Sequence, residues 1–196
     1  MRAVVILCLL SMSAWGAEDE SEHLFAEAQT WTVAPITTPG WLLGGSGRAS
    51  VGRFGLSVSG YQQALSGPAG TSPRLGSLLA SMTATFRLDA RIALGVSLGA
   101  NTLFFEPDLA SIAPSFGFFS RFDFHPNLSV QILMDAAPFP HYRIDALTEA
   151  TLHWRALFVS LGLRIIHLEA PSRLGVPRGD VTTIGLQLAV GVDWKR

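Results

Sequence analysis

The sequence predicts an all-β protein: a single antiparallel, up-and-down barrel of about ten strands, with eight as the alternative. Three observations carry that prediction. From about Gln29 onward, apolar and polar residues alternate with a period of two. Tight turns and longer loops take turns between the alternating segments. The charges inside those segments all fall in the same phase of the alternation.

Composition narrows the solvent in which such a chain can fold. Of 196 residues, 48% are hydrophobic and 15% charged, against a charged share of roughly 25% in a soluble domain. Mean hydropathy is positive. No apolar run reaches the roughly 18 residues that a spanning helix requires. The longest, residues 4–10, lies at the extreme N-terminus. Hydrophobicity dispersed in this way excludes a helical membrane protein.

The chain opens like an export signal. Arg2 precedes the apolar stretch 3–10, and Ala14 and Gly16 supply the small-x-small pattern read by signal peptidase. Cleavage is expected after Gly16, just before the acidic Glu18-Asp19-Glu20; an uncleaved anchor is disfavoured because the apolar stretch is too short. The only cysteine, Cys8, lies in that signal. The mature chain is therefore expected to have neither a disulfide nor a thiolate metal site. A net charge of −1 offers no basic surface for nucleic acid. Residues 17–28 read as a polar periplasmic lead-in, with Leu24, Phe25 and Ala28 at loosely helical spacing, and residues 29–196 as the barrel.

In order, the expected strands are 29–34, 41–51, 54–64, 76–88, 92–105, 113–124, 128–137, 142–153, 156–168 and 182–194. The first is the weakest, being short and followed by Pro35 and Pro39. Most have about the length, roughly 9–11 residues, with which a tilted strand crosses a bilayer. The last is the clearest: Ile184, Leu186, Leu188, Val190, Val192 and Trp194 share one face, and Thr183, Gly185, Gln187, Ala189, Gly191 and Asp193 the other. Short turns at 52–53, 89–91, 125–127 and 154–155 alternate with loops at 35–40, 65–75, 106–112, 138–141 and 169–181. An even strand count puts both termini on the short-turn side.

Hairpin arithmetic tests the phase. Around a two-residue turn the numbers of paired residues sum to an odd value, and around a three-residue turn to an even one. The turns expect Arg48 opposite Ser57, Arg87 opposite Ala93, Arg121 opposite Gln131, and Asp145 opposite Arg164. Each pair joins polar face to polar face.

Which face points inward decides the solvent. The polar phase is rich in glycine, serine, alanine and threonine and carries Arg48, Arg87, Arg121, Asp123, Asp135, Arg143, Asp145, Glu149, Arg164 and Asp193. The other phase is made of large aliphatics and phenylalanine. A ten-stranded barrel encloses a narrow interior that small residues can fill and ten strands of large ones cannot. The apolar face must then look out into lipid, where only a closed barrel or a helix satisfies every backbone group. Aromatics near the strand ends agree: Trp41, Phe104, Phe116 and Tyr142 toward the long loops, and Phe54, Phe86, Phe124, Trp154 and Trp194 toward the short turns.

On these grounds the chain resembles the small outer-membrane β-barrel proteins of Gram-negative bacteria, an architectural likeness that singles out no family. The resemblance implies the outer membrane as location. It also implies contact with membrane lipid and lipopolysaccharide, and insertion by the outer-membrane assembly machinery. Many such proteins end in phenylalanine, whereas this chain ends Val192-Asp193-Trp194-Lys195-Arg196.

Three functions fit. The first is a non-catalytic barrel whose lumen is plugged by paired charges, with Asp145 facing Arg164, Glu149 on the same face, and Asp135 near Arg143. Charges in a narrow interior are tolerated only when paired. The second is a narrow channel for small solutes. The third is a hydrolase using Glu106, Asp108, His141, His167, Glu169 and Asp180 at the long-loop rim. No paired-aspartate or serine–histidine arrangement supports the third, and no metal spacing or phosphate-binding glycine loop calls for a cofactor.

Overall fold

The computed structural model describes residues 24–36, 41–64, 74–105, 109–169 and 180–195. The signal region, most of the lead-in, Glu106 and Asp108 lie outside the described residues. Ten strands run in order: β1 (Leu24–Pro35), β2 (Leu42–Val51), β3 (Phe54–Ala64), β4 (Arg74–Arg87), β5 (Ile92–Phe105), β6 (Leu109–His125), β7 (Leu128–Ala137), β8 (Tyr142–Trp154), β9 (Leu157–Glu169) and β10 (Asp180–Lys195). Each pairs antiparallel with its neighbours in sequence, and β1 pairs with β10 to close the barrel.

The polar phase faces inward. Asp135, Arg143 and Asp145 are 4%, 2% and 2% exposed, whereas Leu56, Met82 and Leu98 on the other phase are 64%, 69% and 65% exposed. No helix among the described residues is long and apolar enough to cross a membrane; the strands carry the apolar surface instead. The inner face is less uniformly small than the sequence suggests. Trp31, Val33, Leu42, Tyr61 and Ile166 form one buried cluster, and Leu75, Leu103 and Leu168 another. Most of these residues lie in the long-loop half of their strands, where they fill the mouth.

Most boundaries differ from the sequence reading by no more than two residues, and three differences matter. β1 begins at Leu24, so residues 24–28 belong to the wall, with Phe25 opposite Lys195 and Ala28 opposite Val192. Pairing to β10 on one side and β2 on the other overrides the weak helical spacing. β6 begins at Leu109, which leaves Phe116 mid-strand instead of near a loop.

The third difference is the last tight turn. It is Arg155-Ala156, with Arg155 at φ 58°. Asp145 therefore opposes Ile166, and Leu147 opposes Arg164. The register moves by two residues, an even step that leaves the faces unchanged. The other three expected pairs, Arg48–Ser57, Arg87–Ala93 and Arg121–Gln131, stand opposite each other.

One stretch of wall is incomplete. The β6–β7 ladder ends at Phe116 opposite Ala136, because β7 stops at Ala137 while β6 continues back to Leu109. Residues 109–115 pair with β5 alone. The Asp123 amide donates to Arg91 on the β5 side, so even-numbered residues of β6 turn their amides toward β7. Pro114 thus places its missing N–H on the unpaired edge, where proline costs no ladder bond.

Candidate functional site

The lumen is where this chain concentrates its polar chemistry. Asp135 on β7 and Asp145 on β8 are direct cross-strand partners, an arrangement that would repel if left alone. Arg143 resolves it by donating from Nη1 to Asp135 Oδ1 at 2.9 Å and from Nη2 to Asp145 Oδ2. Arg164 reaches from β9 with a two-pronged bond, Nε to Asp145 Oδ1 at 2.9 Å and Nη2 to Oδ2 at 2.7 Å. The planar guanidinium suits this fork. Its third arm donates to Gln187 Oε1 at 3.0 Å. Gln187 Nε2 donates to Glu149 Oε2 at 3.1 Å, and Gln131 Nε2 donates to Glu149 Oε1. Four charges and a carboxylate cradled by two amides thus span the lumen.

An aromatic floor supports this cluster. The Arg164 guanidinium lies 3.9 Å from the centre of the Trp31 ring, within cation–π range. Trp31 can lie there because Gly44 stands beside it: a Cβ on Gly44 would come 2.3 Å from the ring.

A second closure lies nearer the short turns. Arg48 sits 4.5 Å over the Phe119 ring and donates to Thr85 Oγ1 at 2.9 Å. Phe119 rests on Gly95, where a Cβ would come 2.1 Å from it. Between the two closures is a cavity of about 130 Å³, with Ser59, Ser81, Thr83 and Ser97 on one wall and Gln29, Gln131 and Gln187 among the residues opposite. At the short-turn end, Arg121 pairs with Asp123 at 2.8 Å and His153 Nδ1 lies 3.4 Å from Asp193 Oδ2.

The charges expected in the lumen thus divide. Asp135, Arg143, Asp145, Glu149 and Arg164 form the main cluster, Arg48 makes the second closure, and Arg121, Asp123 and Asp193 line the short-turn end. Arg87 is exposed at the rim, outside the network. Asp145 and Arg164 meet as diagonal neighbours, not as the direct pair expected from the turn. The nine expected interfacial aromatics all point outward, Trp41, Phe54, Phe124, Trp154 and Trp194 being more than half exposed and Phe86 the least open.

The described rim residues are brought together only in part: Glu169 stands opposite Asp180 and 3.5 Å from His167, while His141 is apart from them. His141 is fully buried and faces inward, where Nδ1 meets Ser111 Oγ and Nε2 meets Asn101 Oδ1, each at 2.9 Å. Asn101 Nδ2 donates to Ser77 Oγ, which fixes the amide and assigns the proton to His141 Nε2. Burial, with Arg143 nearby, holds the His141 imidazole below its ordinary pKa. His167 faces outward beside Tyr142, bonded to Thr182 Oγ1 at 2.8 Å and 3.5 Å from Glu169. The two histidines thus stand on opposite faces of the wall. Among the described residues, no group of three histidine, cysteine or acidic side chains is placed to hold a metal.

Trp31, Tyr61, Phe119 and Phe158 are the lumen residues the sequence reading passed over. Their signal was phase: each is an aromatic in the polar phase. Trp31, Phe119 and Phe158 also sit opposite Gly44, Gly95 and Gly191 on the adjoining strand.

Fold and lumen together define a small β-barrel with an apolar outer wall and a charged, hydrogen-bonded interior. No protein-family model matches the chain, and no curated protein matches it. Several solved structures are similar to it in architecture. Neisserial surface protein A, NspA, is 14% identical at a TM-score of 0.39, covering 89% of this chain and 96% of that one. The N-terminal barrel domain of Pseudomonas aeruginosa OprF is 13% identical at 0.39, covering 87% and 97%. Ail of Yersinia pestis, in complex with the heparin analogue sucrose octasulfate, is 11% identical at 0.44, covering 89% and 100%.

Proposed function

We propose that this chain is an integral outer-membrane barrel whose lumen is closed to ions and solutes, and which acts through its wall and its loops without catalysis. The observation that carries the reading is the buried Arg143–Asp145–Arg164 cluster. Arg164 is 7% exposed, with its guanidinium over the Trp31 ring and hydrogen-bonded along its edge. The outward Leu, Val, Met and Phe of β2 to β10 support the membrane location, because water offers them nothing to pack against. Lipid and lipopolysaccharide are then the partners of the outer wall, and the assembly machinery inserts it after export.

Two measurements test this. Unboiled protein from purified outer membranes should migrate differently from boiled protein. In planar bilayers the folded barrel should show no steady conductance, and Asp145→Ala should introduce one. Soluble periplasmic protein without a mobility shift would sink the membrane reading. Steady conductance by the native protein would replace the closed barrel with a channel.

A further inference from the structure

The chamber between the two closures is larger than packing requires, and part of its polar wall is unsatisfied. Gln29 Oε1, Arg48 Nε and Thr83 Oγ1 are buried without hydrogen-bond partners, and all three residues line the cavity. Small side-chain rotations would turn them into the chamber as an acceptor, a donor and a hydroxyl that can serve as either. Each would cost stability if left unmet. Other wall hydroxyls already satisfy each other, as Ser57 and Ser81 do at 2.7 Å. The unmet atoms therefore mark one part of the chamber, beside β1, β2 and β4.

We infer that this chamber binds one small, uncharged molecule rich in hydroxyl or amide groups, admitted past the Arg48–Phe119 closure. The inference rests on the barrel reading above and deepens it. Charge on the wall argues for a neutral occupant: Arg48 and Arg164 are set against Glu27, Asp135 and Asp145, so no single sign dominates. Size argues for a small one, since about 130 Å³ accommodates a few waters or a short polyol. Phe119 and Leu147 on the same wall would pack against the carbon side of such a molecule.

Access is one-sided because the closures differ. Toward the long loops, Asp135, Arg143, Asp145 and Arg164 must separate in a dry setting before anything passes. Toward the short turns, one ring contact, one hydrogen bond to Thr85 and the charge of Glu27 directly across the β1–β2 pair hold Arg48 in place. Swinging the Phe119 ring off Gly95 opens the chamber while Arg48 keeps Glu27 beside it.

The test uses Ser97→Cys as a reporter inside the chamber, in a background where the only cysteine, Cys8, is replaced by serine. Methyl methanethiosulfonate is added to the barrel reconstituted in lipid vesicles, and labelling is followed by mass. Native closures should allow slow labelling that glycerol suppresses. Phe119→Ala should accelerate it about tenfold, the scale of one buried cation–π contact. Leu103→Ala at the long-loop mouth should leave the rate unchanged. Acceleration by Leu103→Ala, or no labelling in any variant, would overturn the one-sided route. Labelling that glycerol does not slow would reduce the chamber to a water pocket. Heat-modifiable mobility is read on every variant, with Phe119→Leu replacing an alanine variant that does not fold. A native chain without a mobility shift would instead overturn the barrel itself.

Discussion

Arg164 and Arg48 each lie over an aromatic ring seated on a glycine, yet they close the lumen by different means. Arg164 is tied to a carboxylate by two bonds and to an amide by a third, in a buried site. Arg48 has one neutral hydrogen bond and a ring, its Nε atom is unmet, and Glu27 across the β1–β2 pair acts on it without a fork of bonds like Arg164's. The contrast shows that one motif can serve as a permanent seal or as a loose one. Its neighbours decide which. Where two carboxylates already need neutralising, the arginine cannot leave without stranding them.

Removing Asp145 is the most severe way to test that contrast. Asp145→Ala strands two buried arginines and should cost about 3–5 kcal/mol, measured as the urea midpoint in detergent micelles by tryptophan fluorescence. Arg48→Ala should cost only about 1–2 kcal/mol. Equal losses would erase the distinction between the closures.

The glycine seats come next. Gly44→Ala would drive a methyl into the Trp31 ring and should cost about 1–3 kcal/mol, with a shift in the tryptophan emission. Gly95→Ala should cost a similar amount but leave that emission in place, because it displaces Phe119.

A smaller effect is expected from pH at the long-loop mouth. The folded state holds His141 neutral, its pKa below the ordinary value of 6.5. Its contribution is therefore complete above that ordinary value and declines as pH falls toward the depressed one. The decline is at most about 1.4 kcal/mol per pH unit. Unfolding midpoints at pH 7.5 and 5 should differ more for the native chain than for His141→Gln, whose amide can keep both bonds. An identical pH response would remove His141 from the account.

The smallest effect belongs to the turn that set the β8–β9 register. Arg155 adopts φ 58°, a region that costs a side-chain-bearing residue about 1–2 kcal/mol. Glycine recovers part of that and loses some to its own flexibility. Arg155→Gly should raise stability by a few tenths to about 1 kcal/mol, visible as a higher midpoint with unchanged cooperativity.

Much of this architecture is legible in the sequence because its rule is local. In β10 every second residue is apolar, and that alone sets the inward face. The inward charges follow from the same parity. What the sequence hides is decided across the barrel. Leu24 to Ala28 look like leader until β10 and β2 are placed on either side of them. Arg155-Ala156 and Trp154-Arg155 are equally plausible turns, and both keep the faces in phase, so parity could not choose between them. Trp31 and Phe119 become parts of closures only once Gly44 and Gly95 are known to lie beside them.

The short β7 has a consequence for how the barrel floats. Above Phe116 and Ala136, β6 has no strand on its β7 side, and the amides of Ala110 and Ile112 on that edge have no backbone acceptor among the described residues. Hydrocarbon cannot solvate such groups. In the membrane proposed above, the oily layer on this flank would therefore end at about the height of Ala136, while elsewhere the paired wall continues upward. The missing half-strand would then act as a waterline, setting the depth and lean of the cylinder.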